Sequence, residues 1–221
     1  MEFDFSPIAD NWRFFASGLG VTVALSLISA VTSILAGLVI ALLRLYGPGW
    51  LRPVLIFYID SMRAIPVLVV LVWMYFAFPL LVGFTFAPFW AAVIALTLHI
   101  AAYAAEVIRA GIESVRPGQT RAALALGMSR AQLLRKVLLP QATIRMLPAF
   151  GSILTIAIKD TAIATVIAVP ELMHRAETVA GQSYRPVEVF TAVMVAYFVI
   201  LFPVTRGIDR LYHRVAHLGR S

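Results

Sequence analysis

Between Arg13 and Arg44 the chain runs for 30 residues, Phe14 to Leu43, without an Asp, Glu, Lys or Arg. A second such run, Ala64 to Ala105, covers 42 residues, and a last one, Val189 to Thr205, covers 17. Met146 to Pro170 is apolar apart from Lys159 and Asp160 in its middle. A helix crosses the hydrocarbon core of a bilayer with about 20 apolar residues. The 42-residue run is therefore two spans, with Pro79, Gly83 and Pro88 marking the break between them. The shortest run reaches span length when its flanking residues snorkel. The pattern predicts five spans, near 17–43, 58–80, 88–110, 148–169 and 188–211.

Composition agrees. Of 221 residues, 61% are hydrophobic and 13% charged. Soluble chains run about 45–50% apolar and about 25% charged. Disorder, a disulfide scaffold and a collagen-like repeat are excluded, and with no cysteine there is no thiol or Cys-metal chemistry. The expected fold class is an all-α integral membrane protein with five transmembrane helices. The net charge of +7 is distributed by segment. Residues 1–13, 79–90 and 171–188 carry −2, 0 and −1, whereas 44–63, 106–145 and 206–221 carry +2, +5 and +3. Basic residues gather in every second segment, the positive-inside pattern. It predicts the N-terminus outside and the C-terminus in the cytoplasm. It also removes the nucleic-acid reading of the positive charge, because no single basic stripe remains. The acidic start MEFDF lacks the basic n-region of a signal peptide, so the first run is expected to remain as a span.

The segment 117–141 lies between the third and fourth spans and is too polar to cross. Pro117-Gly118 is expected to end the extension of the third span. Gln119 to Leu126 reads as a short Ala- and Leu-rich helix, and Gly127 fits the left-handed residue that closes one. Ser129 is a plausible N-cap for a second short helix, Arg130 to Leu139, which Pro140 is expected to stop. Leu133, Leu134, Val137 and Leu138 give that helix one apolar face. Two short helices with basic outsides must lie on the membrane or dock on another protein.

This stretch resembles the EAA loop of ABC-transporter permease subunits. That pattern is Glu-Ala-Ala, three residues, Gly, then about nine residues to an Ile/Val-x-Leu-Pro. Here it reads Arg121-Ala122-Ala123, Gly127 and Val137-Leu138-Leu139-Pro140. The surrounding pieces resemble importers of polar amino acids, the His/Glu/Gln/Arg/opine-type permeases. They are Arg63-Ala-Ile-Pro66-Val-Leu68, Ala102-Tyr103-Ala-Ala-Glu106-Val-Ile-Arg109-Ala-Gly111, Pro117-Gly118-Gln119, Leu139-Pro140-Gln141-Ala142, Lys159-Asp160-Thr161 and Val169-Pro-Glu171-Leu172. The resemblance covers about residues 60 to 172. Arg121 departs from it, standing where the family usually has Glu. The resemblance implies a bacterial or archaeal cytoplasmic-membrane subunit, itself non-catalytic. It implies a partner ATPase dimer on the cytoplasmic side, holding ATP and magnesium, and no cofactor in this chain. It also implies a second permease copy or a paralogue, an extracytoplasmic solute-binding protein and an amino acid substrate. Residues Arg121, Ala122, Ala123, Leu126, Gly127, Leu133 and Pro140 would couple to the ATPase. Locally, Gly127 could equally be a simple helix stop. Val72-Trp73-Met74-Tyr75 leans weakly towards glutamate or aspartate as substrate.

The chain has no G-x-x-x-x-G-K-[ST] sequence, so it lacks that device for holding ATP. Charges within spans are functional candidates, because one at mid-bilayer costs about 2.5–3.5 kcal/mol on insertion scales. Lys159 and Asp160, followed by Thr161, either line the substrate route near the cytoplasmic side or brace the fourth span. Glu106 and Arg109, one turn apart, either belong to the pathway with Tyr103 or form an interfacial pair. Arg63 and Pro66 open the second span, as a pathway corner or as a snorkelling cation and a first-turn proline. Trp73, Tyr75 and Trp90 fit an aromatic belt, and His99 is expected to hydrogen-bond between helices. Two rival functions are weaker. An intramembrane enzyme would have only His99, of the histidines at 99, 174, 213 and 217, inside a span, and Ser152 lacks an elbow context. A carrier or channel working without an ATPase would more often show an internal repeat.

Overall fold

The computed structural model describes residues 3–215, so Glu2, His217 and Arg220 of the charge pattern lie outside the described residues. Every regular element among the described residues is helical. In chain order they are α1 (Ser6–Asp10), α2 (Trp12–Tyr46), α3 (Leu51–Ala64), α4 (Val67–Val82), α5 (Pro88–Glu113), α6 (Pro117–Ala125), α7 (Arg130–Ile167), α8 (Leu172–Ser183) and α9 (Pro186–Val215). Four of them, α2, α5, α7 and α9, are long and apolar enough to cross a membrane. The pair α3 and α4, bent by 107°, makes a fifth span if counted as one.

The bend replaces the straight second span expected at 58–80. Ile65 (ψ 132°) and Pro66 (ψ 136°) are both extended. The proline ring disfavours helix at the residue before it, which ends α3 at Ala64 and starts a new axis at Val67. The segment 171–188 contains a helix of its own, α8.

Two other prolines do the opposite of what the sequence suggests. Pro140 does not stop a short helix, and Pro79 does not end α4. Both follow a π-turn, at Leu134–Leu138 and at Trp73–Ala77. The Leu139 N–H bonds to the Leu134 carbonyl and the Phe78 N–H to the Trp73 carbonyl, five residues back. Widening the helix just ahead of the ring absorbs the missing donor and the clash with the preceding turn. The second short helix is therefore the first part of α7, continuous with the fourth candidate span. Likewise Pro117 opens α6, and α5 has already ended at Glu113.

The bundle is built around α5, two-thirds of whose most apolar window is buried, against 17% for α9. Half of its buried residues are alanine, among them Ala91, Ala95, Ala101, Ala104 and Ala105. Lipid tails are as apolar as leucine, so helices associate in a membrane by close fit, which small residues permit. Gly37 of α2 marks the closest approach. A Cβ there would lie 2.5 Å from Ala104 Cβ and 2.9 Å from the Ala105 nitrogen. Thr32 and Thr97 link the same helices by a 2.6 Å hydroxyl–hydroxyl hydrogen bond.

Candidate coupling and translocation sites

The turn between α6 and α7 is capped from both sides. Met128 N–H donates to the Ala123 carbonyl (3.1 Å) and Gly127 N–H to the Leu124 carbonyl (3.0 Å), the two bonds of a Schellman motif. Gly127 takes φ +76°, the left-handed value the motif requires. Two residues on, Ser129 Oγ accepts from Gln132 N–H (3.3 Å), and Gln132 Oε1 accepts from Ser129 N–H (2.9 Å). This reciprocal capping box fixes the start of α7. Back-to-back caps leave little freedom in the angle between the helices.

The faces of α6 have different neighbours. Ala123 is buried with Leu133, Leu138 and Met146. Thr120, Arg121 and Leu124 look into a cavity shared with the ends of α2 and α5. At 100° per residue the remaining face carries Gly118, Ala122, Ala125 and Leu126, all exposed. Leu126, at 80% exposure, is the most prominent apolar group on that face. Pro140 is exposed on α7, two residues after buried Leu138.

Glu106 and Arg109 are drawn into an ion cluster. Arg109 donates to Glu106 through Nε (2.9 Å) and Nη2 (2.7 Å) and to Glu113 through Nη1. Glu106 also takes Arg44 Nη1, from the end of α2. Arg44 was visible in the sequence only as the boundary of an apolar run. Arg145 adds a further tie, from α7 to the Ser114 carbonyl.

Arg63, Pro66 and Tyr103 meet at the α3–α4 corner. The Arg63 guanidinium lies 5.7 Å from the centre of the Tyr103 ring, and Tyr103 OH reaches the Arg63 carbonyl at 3.4 Å. His99, one turn back along α5, has its ring 5.4 Å from that of Tyr103. His99 is expected to hydrogen-bond between helices, and its buried Nδ1 has no partner among the described residues. Lys159 is exposed and Asp160 half-buried where α7 tightens into a 3₁₀ turn, Thr161–Ile167. Buried Thr161 donates to the Ile158 carbonyl at 2.7 Å. From Leu139 to Asp160 is 22 helical residues, roughly 33 Å, so this pair sits at the end of α7 remote from α6.

Glu171 falls in the Val169-Pro-Glu171-Leu172 stretch, which by itself assigns it no role. It is fully buried at the N-cap of α8. Its carboxylate accepts from His174 N–H (2.7 Å), Met173 N–H (2.8 Å), Tyr197 OH of α9 (3.3 Å) and Thr22 Oγ1 of α2 (3.4 Å). One side chain thus holds three helices together at the end opposite α6. Burial pushes this carboxyl up from its ordinary range, and the hydrogen bonds from Met173, His174, Tyr197 and Thr22 oppose that rise.

A bundle of apolar helices around an alanine-rich centre, several of them long enough to cross a bilayer, defines a multi-pass membrane protein. Residues 33–217 match the family described as the binding-protein-dependent transport system inner membrane component, and the chain belongs to it. It is 35% identical to the arginine transport system permease protein ArtQ of Bacillus subtilis, over 93% of this chain and 94% of that protein. It is 33% identical to the glutamine transport system permease protein GlnP of Escherichia coli, over 97% of this chain and 99% of the other. The crystal structure of an amino acid ABC transporter with histidines superposes with a TM-score of 0.90 at 34% identity, covering 97% of this chain and 100% of that one. An inward-facing MetNI methionine ABC transporter shares the fold, with a TM-score of 0.81 at 22% identity, over 93% of this chain and 98% of the other.

Proposed function

We propose that the chain is the transmembrane, non-catalytic subunit of an ATP-driven importer, taking a polar amino acid from an extracytoplasmic binding protein into the cytoplasm. The observation that carries this reading is α6. It is a short helix held at a fixed angle by two caps, with an unpartnered face of Ala122, Ala125 and Leu126. A groove on a separate ATPase dimer, which would hold ATP and magnesium, fits that face. Because α7 runs as one continuous helix from Arg130 to Ile167, movement at α6 passes as a rigid body into the bundle. Nucleotide then biases two arrangements, open outward and open inward. The path runs between this chain and a second copy or a close relative. Arg63, Tyr103, Asp160 and Lys159 are its candidate lining groups.

Polar amino acids are supported by full-length similarity to permeases named for arginine and glutamine, and by further relatives named for L-cystine and octopine. The lean to glutamate or aspartate rests only on Val72 to Tyr75. The test is uptake into vesicles holding the complete complex, with each amino acid as competitor. Uptake should require ATP and the binding protein. Uptake driven by an ion gradient alone would replace this reading with a secondary carrier. Asp160→Ala should lower uptake at least several-fold while the subunit still inserts. An unchanged rate would leave Asp160 a brace only.

A further inference from the structure

Behind α6 lies a cavity of about 800 Å³. Its walls are Leu42 and Leu45 at the end of α2, Ile112 at the end of α5, Leu124 of α6, and Leu133 and Leu134 of α7. This volume is in the range that holds a ligand of some size. The charges at its mouth are Glu113, Arg121 and Arg130. Glu113 is engaged by Arg109. Arg121 and Arg130 have no acidic partner among the described residues. An occupant must therefore be apolar over most of its length and anionic at one end. The ends of α2 and α5 put the cavity at the edge of the membrane-crossing region, on the side of the strongly basic 106–145 segment. Basic pockets between helix ends on that side suit anionic lipid headgroups.

We propose that this cavity is a binding site for an anionic phospholipid, with an acyl chain among the leucines and the headgroup phosphate on Arg121 and Arg130. The lipid fills the space between α6 and the bundle and so supports α6 from behind. A segment of the ATPase is the other conceivable occupant. It is disfavoured because the free face, with Ala122 and Leu126, points away from the cavity. Arg121, which lines the cavity and is exposed about 40° around the helix from Ala125, stands at the border of the lipid site and the free face. The proposal rests on the membrane placement of the chain and is independent of which solute is carried.

The test is native mass spectrometry of the complete purified complex, with its ATPase, after exchange into detergent containing equal phosphatidylglycerol and phosphatidylcholine. Phosphatidylglycerol should be retained roughly tenfold over phosphatidylcholine, as expected for two arginines near one phosphate. Equal retention of the two lipids by the unaltered complex overturns the proposal without any variant. The double variant Arg121→Glu/Arg130→Glu should lose the preference. Arg135→Glu, exposed on the same helix outside the cavity, should keep it. Leu124→Trp, which fills the apolar part, should reduce retention of both lipids. A preference that survives the double variant, or one seen only after the ATPase is removed, also overturns it. Lipid retention is read without transport, so a failed uptake assay leaves this test intact.

Discussion

Arg44, at the end of α2, and Glu106, on α5, join two spans through an ion pair whose side chains are only 17% and 20% exposed. Arg109 and Glu113 extend the pair along α5. Removing Glu106 would leave Arg44 and Arg109 partly buried without their shared acceptor. A double-mutant cycle on thermal unfolding should give Arg44 and Glu106 a coupling of about 1–2 kcal/mol, between exposed and fully buried pairs. Coupling within error of zero would mean that the pair is incidental.

At Gly127 the strain is in the backbone alone. A Cβ there meets nothing within 4 Å, but φ is +76°. Gly127→Val should cost about 1–2 kcal/mol locally and uncouple ATP hydrolysis from uptake in the reconstituted complex. Gly127→Asn, which tolerates this region, should keep most uptake. Equal performance of the two variants would remove the link between the Schellman turn and coupling.

Gly37 makes the complementary case, with helical backbone and no room. Gly37→Val should abolish accumulation of folded protein in the membrane, because Ala104 Cβ and the Ala105 backbone occupy the space. Gly20→Ala, with nothing within 4 Å, should accumulate normally. Detergent-resistant yield after solubilisation measures both.

Glu171 predicts a pH dependence whose sign follows from burial. Its folded pKa lies above the ordinary value of 4.5. The folded state therefore holds the proton where the unfolded state has lost it. The resulting stability is fully present below the unfolded value and is lost as pH rises through the folded value. Melting of the wild type relative to Glu171→Gln should therefore fall on going from about pH 5 to about pH 8. Glu171→Ala should lose about 1–3 kcal/mol, since it leaves the Met173 and His174 N–H groups without their acceptor. A pH-independent difference between wild type and Glu171→Gln would place the carboxyl's titration outside this range.

Much of this was legible in one dimension. Charge-free runs locate membrane helices because the bilayer penalises charge residue by residue, with no need of a fold. The caps at Gly127 and Ser129 were readable for a similar reason, since cap chemistry is confined to a few neighbouring residues. The prolines were harder. Pro66 breaks its helix whereas Pro79 and Pro140 ride over π-turns, and the local residue pattern is nearly silent on which will happen.

The sequence alone thus determined that the chain is a helical membrane protein, where most of its membrane-crossing stretches lie, and where the turn at Gly127 and Ser129 is capped. These follow from the solvent and from local backbone chemistry. The tertiary structure decided which charges meet. It took Glu106 to Arg44, set Thr22 and Tyr197 around Glu171, and placed Arg121 at the edge of a cavity shared with the ends of α2 and α5. Such pairings depend on how helices far apart in sequence rotate and approach, and that rotation is fixed by small-residue packing such as Gly37 against Ala104.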